Sequence, residues 1–146
     1  MRPLLDEPHL PAIITRAQGL EPDAPPRWGG LTVSGMLYHC TLVHEQILAA
    51  RTTRPPTVKE RLLKLVLLTM TRLPRGVRTG PALLAPAPDQ LNFEQERAAF
   101  LAAATRFAQH PGPLLAAHPF FGPLNAREWR RSAWLHLDHH LRQFGV

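Results

Sequence analysis

Helix start and stop signals punctuate this chain so regularly that they leave room for little except a helical architecture. Thr57-Val-Lys-Glu60 and Asn125-Ala-Arg-Glu128 have capping-box spacing, in which a cap side chain and a glutamate three residues on satisfy each other's backbone donors. Asn92-Phe-Glu-Gln95 is a close variant, and Thr32 can cap a further helix. The stops are equally legible. Gly19 ends a first helix that begins near Pro8 to Pro11, Pro55-Pro56 closes the second and Pro74 the third; Pro111 follows the fourth and Gly145 the last.

These signals predict helices at roughly 9–18, 33–51, 58–72, 93–109 and 126–144, with no convincing strand. The expected class is all-α: a four-helix bundle with a short extra N-terminal helix, in one domain spanning residues 1–146. Residues 73–91 form a long Pro/Gly-rich connection, longer than an ordinary bundle loop, suited to a crossover or to covering part of a pocket. The helix at 58–72 is apolar on most sides, through Leu62, Leu63, Leu65, Val66, Leu67, Leu68, Met70 and Leu73. Such a helix is either covered by the 73–91 connection or pressed against a second subunit.

The last helix carries the chemistry. Trp129, Ala133, His136, His140 and Phe144 fall at three- or four-residue steps, the spacing of a core-facing stripe. His136 and His140 therefore share one face and can grip one ion. Buried imidazoles need partners, because an unsatisfied polar group costs about 1–3 kcal/mol. A third ligand is available on the helix that includes Met36, His39, Val43 and Ile47 on its apolar side. His44 is rotated about 140° from His39 at 100° per residue, which predicts that only one of the two faces the core, and His39 is that one. His139 is expected beside the metal pair rather than in it. Asp138 is turned about 200° around the helix from His136 and reads as a surface or interhelical partner. Arg142 and Gln143 read as solvated helix-end residues, with orientation of a ligand as the alternative.

Other assignments are more ordinary. Cys40 is expected as a buried core thiol; as the one cysteine it excludes an internal disulfide framework. His118-Pro-Phe-Phe-Gly122 is expected to plug the end of the bundle with His118 exposed, and Trp28-Gly-Gly to form a structural entry to the second helix. Position 137 is leucine, so the HExxH signature of zinc proteases is missing, as are the nucleophile elbow, the phosphate loops and paired-cysteine zinc sites.

The formal charge of +6 combines 15 arginines with only 2 lysines. Together with abundant alanine and proline, that pattern reads as compositional bias rather than a polyanion-binding surface. A basic protein using Arg127, Arg130 and Arg131 or the Arg72–Arg78 stretch on nucleic acid is the weaker alternative. Met1-Arg-Pro-Leu-Leu-Asp-Glu-Pro has acids and prolines where a signal peptide needs an apolar run, and Leu62 to Met70 is too short to span a bilayer. The expectation is a cytoplasmic protein that engages neither membrane nor nucleic acid.

Trp28-Gly-Gly-Leu-Thr, Met36-Leu-Tyr-His39-Cys40, Leu73-Pro-Arg-Gly76 and the run from His118-Pro-Phe-Phe-Gly122 to His136-Leu-Asp-His-His140-Leu-Arg-Gln-Phe144 resemble the DinB-like (YfiT-like) superfamily of metalloenzymes. The likeness is to an uncharacterised DinB-related subfamily and runs from about residue 28 to the end, most specifically in the C-terminal block. It implies a four-helix bundle with a three-histidine metal site, one ligand on an early helix and an H-x-x-x-H pair on the last. Carried over residue by residue, the ligands are His39, His136 and His140, the same three that spacing selects. Three imidazole donors suit zinc or nickel best, with iron or manganese as alternatives, and the resemblance implies a homodimer. It also implies thiol-dependent transferase or isomerase chemistry with a small low-molecular-weight thiol; a metal that acidifies bound water makes a hydrolase the other enzymatic reading. A non-catalytic metal-binding or stress-response bundle is the other reading. No residue is assigned as catalytic beyond the metal ligands.

Overall fold

The computed structural model describes residues 3–77 and 80–146. Five α-helices account for most of it: α1 (Leu10–Gln18), α2 (Val33–Ala49), α3 (Val58–Thr69), α4 (Phe93–Ala108) and α5 (Ala126–Gln143). Their starts are held as the cap chemistry requires. Thr57 Oγ1 accepts from Glu60 N at 3.2 Å while the Glu60 carboxylate accepts from Thr57 N at 2.8 Å. Asn125 and Glu128 make the same reciprocal pair at 2.9 and 2.8 Å. Thr32 accepts from Gly35 N, and Asn92 accepts from Gln95 N without a return bond. Loss of one such cap costs about 1 kcal/mol. Helices α2 and α3 end at Ala49 and Thr69, two and three residues before the expected 51 and 72.

The most extensive packing is α2 against α4, and α5 rests on α1, α2 and α3. Met36, Leu37, Phe100, Phe107, Leu135, Leu137 and Leu141 are fully buried at these contacts. Each such side chain is worth about 1.5–3 kcal/mol of burial. Asp138 is an interhelical partner: its carboxylate accepts from Arg16 of α1 at 2.9 Å and from Arg142 at 2.9 Å. Cys40 is buried with its Sγ toward Met36 Sδ, and burial pushes its thiol well above the ordinary value.

Two expectations need correction. A short antiparallel ribbon does exist, β1 (Ala117–His118) against β2 (Gly122–Pro123), with His118 opposite Gly122. Two-residue strands are too short to leave a periodic pattern. The ribbon turns through Gly122 at φ +65°, and His118 Nδ1 accepts from the backbone N–H groups of Phe120 (3.1 Å) and Phe121 (3.4 Å). His118 is consequently half-buried against Phe121 and Trp129 rather than exposed.

On α3 the structure disfavours one of the two readings, cover by the 73–91 connection, and leaves the other untouched. Leu67 is fully buried, but Val58 (75%), Leu62 (63%), Leu65 (61%) and Val66 (48%) are open to solvent. The 73–91 connection does not cover them. It runs instead through two short 3₁₀ turns, Pro81–Leu83 and Pro88–Gln90, and the first of these touches α2. Arg78 of the basic stretch lies outside the described residues, as does the side chain of Leu68. No helix among the described residues is long and apolar enough to cross a membrane.

Candidate metal centre

Helix α2 contributes His39 and α5 contributes His136 and His140 to one cluster, in which one nitrogen from each ring lies within 4.8 Å of the other two. The rings meet edge to face, with centroids 5.1 Å apart for His39–His136, 5.1 Å for His39–His140 and 4.7 Å for His136–His140. The structure thus brings together the three residues selected from spacing.

The hydrogen bonds behind the rings determine which nitrogen is free. His39 Nδ1 lies 2.9 Å from the Leu83 carbonyl, which can only accept, so Nδ1 carries the proton and Nε2 is bare. For His140 the chain of reasoning passes through Gln143. The Gln143 amide nitrogen donates to the Trp28 carbonyl at 2.7 Å, which turns its oxygen toward His140 Nδ1 at 2.9 Å. The oxygen accepts, so His140 Nδ1 is the donor and its Nε2 is bare as well. Backbone and amide acceptors that fix the far nitrogen of a histidine are the usual support of metal-ligating imidazoles.

His136 completes the set. Its Nε2 stands 3.1 Å from His39 Nε2. In the metal-free chain this contact is a hydrogen bond that His136 Nε2–H donates to the bare His39 Nε2; a metal ion would take the place of that proton. With metal–nitrogen bonds of about 2.0–2.1 Å, nitrogens sharing one ion stand about 2.9 Å apart at a right angle and about 3.3 Å apart in a tetrahedron. The His39–His136 spacing falls in that interval, and with all three nitrogens within 4.8 Å of one another the cluster could hold a metal ion.

Electrostatics points the same way. Burial lowers His39, pushes His140 down to about 3, and drives His136 well below its ordinary value, with the neighbouring imidazoles adding to the effect. All three rings are neutral at neutral pH, the form that binds metal.

Two side chains stand where the sequence reading did not put them. Gln143 is buried, not a solvated helix-end residue, and orients His140. Its signal was present in the spacing, since residues 136, 140 and 143 share one face of α5. His44 is also buried, at 1% exposure, although it sits across α2 from His39. Helix α2 is covered on more than one side, by α4 as well as α5, so facing away from His39 still leaves His44 inside. Its Nδ1 donates to the Cys40 carbonyl at 2.8 Å and its ring meets Phe107 edge-on.

His139 stands outside the triad, half-buried, with its ring against Trp28 and against His140. Trp28 also carries the Arg75 guanidinium over its ring face at 4.1 Å. The glycine after Trp28 matters. Gly29 has φ +75°, and a Cβ there would stand 2.8 Å from the Gln143 amide nitrogen. A side chain at position 29 would both strain the turn and dislodge the residue that aims His140.

Helices with a buried cluster of three neutral histidines define a helical protein with a candidate metal centre. The chain belongs to the family described as a protein of unknown function, DUF1569, which matches residues 3–145. No curated protein and no solved structure matches it.

Proposed function

We propose that this protein is a metal-dependent enzyme of the DinB-like type, with His39, His136 and His140 as ligands and a small-thiol transferase or hydrolase reaction. The observation that carries the reading is the pair of bare Nε2 atoms, on His39 and His140, each fixed by a carbonyl acceptor at Nδ1 and converging on His136. Support for the DinB-like four-helix arrangement comes from chain order, one histidine on α2 and the i, i+4 pair on the last helix, with the short α1 outside that set.

Three neutral imidazoles would leave a divalent ion its full charge and open positions, able to acidify a coordinated water or thiol. Zinc or nickel suits imidazole donors best, followed by iron and manganese. The chain's own part is positional. Leu83 and Gln143 set the tautomers of His39 and His140, and burial keeps all three ligands uncharged. A cytoplasmic location, where low-molecular-weight thiols are abundant, accords with this chemistry. The apolar face of α3 through Val58, Leu62, Leu65 and Val66 is the surface on which a homodimer would form.

The test is elemental mass spectrometry of untagged protein purified without chelator, beside the His39→Ala/His136→Ala/His140→Ala variant. The reading expects about one equivalent of metal in the parent and none in the variant, followed by turnover when thiols and electrophiles are screened. A parent that stays metal-free after addition of zinc, nickel, manganese and anaerobic ferrous iron would end it. Metal without turnover, and a sharp loss of stability on chelation, would mark the ion as a structural staple.

A further inference from the structure

Among the described residues, three imidazole nitrogens near the triad are buried without a hydrogen-bond partner, His139 Nδ1, His136 Nδ1 and His44 Nε2, and the last two belong to rings that face each other. Leaving such a buried group unsatisfied is costly, because it has lost its water and gained no partner. The facing two are complementary. His44 Nδ1 donates to the Cys40 carbonyl, so His44 Nε2 carries a lone pair and no proton. His136 turns Nε2 toward His39, and with that nitrogen on a metal ion the neutral ring carries its proton on Nδ1. In the metal-bound state one orphan is thus an acceptor and the other a donor, and their ring centroids are 6.4 Å apart.

A direct N–H···N bond between two imidazoles needs ring centres about 5 Å apart. The extra distance leaves space for one bridging water, which keeps most of the strength of a direct bond. The Phe107 ring lies against the other side of His44 at 4.9 Å and confines it. Of the three ligands, His136 is the one whose far nitrogen has no carbonyl or amide acceptor, in contrast to His39 with Leu83 and His140 with Gln143.

We propose that His44 is the positioning residue for the metal ligand His136, its bare Nε2 accepting, through one ordered water, the proton on His136 Nδ1. The inference rests on the metal reading above and gives each ligand its own support: Leu83 for His39, Gln143 for His140 and His44 for His136. His44 touches neither metal nor substrate in this arrangement. Its effect passes entirely through the orientation and basicity of the His136 ring.

The experiment uses the full chain and Co(II) alone as the probe, with affinity read by competition with a chelator of known strength. His44→Phe keeps the ring packing on Phe107 and removes the acceptor; His44→Gln keeps an acceptor at similar reach. The expected result is about a tenfold or greater loss of Co(II) affinity in His44→Phe, with the metal-free melting temperature unchanged or raised and affinity largely restored in His44→Gln. A purely structural role would move the melting temperature and leave the affinity of folded protein alone. Nitrogen-15 spectra of the zinc-loaded parent give a second readout that needs no variant. They should show His44 protonated at Nδ1 alone and a slowly exchanging proton on His136 Nδ1. Unchanged Co(II) affinity in His44→Phe, or a proton on His44 Nε2, would overturn the proposal. Unchanged affinity in His136→Ala would instead overturn the metal reading beneath it, so the two failures are distinguishable.

Discussion

Acid should unfold the metal-free protein at a pH where most carboxylates are still ionised. His44 and His140 are held neutral by burial, at about 4 and about 3 against an ordinary value of 6.5. A histidine with a depressed value binds a proton in the unfolded chain before it can in the folded one. Stability is therefore fully present above about pH 6.5 and is lost as the pH falls below it. At pH 5 the unfolded chain gains about 2 kcal/mol from each of these two rings, or about 4 kcal/mol together. His136 is shifted in the same direction and adds to the loss. Since a domain of this size has about 5–15 kcal/mol in total, unfolding should set in between about pH 4.5 and 5.5. Glu60, pushed down to about 2 by Arg54 and Thr57, adds its own loss as the pH falls below its unfolded value near 4.5, at the lower edge of that window. The assay is urea unfolding followed by circular dichroism, with chelator present, at pH values on either side of the histidine range. Bound zinc should shift the acid limb downward, because protons and metal compete for the same Nε2 atoms. An unfolding free energy at pH 5 within about 1 kcal/mol of that at pH 7.5 would refute the claim that these rings are kept neutral by the fold.

Two substitutions probe the support of His140. Gln143→Leu strands both His140 Nδ1 and the Trp28 carbonyl, and should destabilise the metal-free protein by about 2–4 kcal/mol and weaken zinc about 10- to 100-fold. Thermal melts and chelator competition read the two effects separately, and equal zinc affinity in parent and variant would count against the orienting role. Gly29→Ala should lower the melting temperature and zinc affinity together, through about 1–2 kcal/mol of left-handed backbone strain and displacement of Gln143. Gly30→Ala is its control: a Cβ there meets nothing within 4 Å, and that variant should behave as the parent.

The helices were legible because their boundaries are written in side chains. Thr57 with Glu60 and Asn125 with Glu128 form the reciprocal caps that their spacing required, and each fixes a helix start to the residue. The ligand triad was legible for a related reason. The i, i+4 pair on α5 needs only helical periodicity, and His39 needs only a partner face. What escaped was any support supplied by backbone. The Leu83 and Trp28 carbonyls hold His39 and, through Gln143, His140, yet a carbonyl belongs to every residue and leaves no mark in composition. Their positions depend on how the 73–91 connection and the Trp28-Gly29 turn return to the helices, which is a long-range property.

His44 shows a different limit. Rotation by about 140° from His39 was a sound statement about a helix with one buried stripe. Helix α2 is not such a helix, because α4 and α5 both pack on it and Met36, Leu37, His39, Cys40 and His44 are all buried. Once a helix is enclosed on two sides, angular separation no longer decides which residues are inside; it decides which neighbour each one meets. His39 meets the triad directly, at 5.1 Å from both partner rings, whereas His44 meets Phe107 at 4.9 Å and stands 6.4 Å from His136. A ligand and a ring behind a ligand therefore require different angles on the same helix. The rotation that argued against His44 as a metal ligand is the rotation that a residue supporting His136 from behind must have.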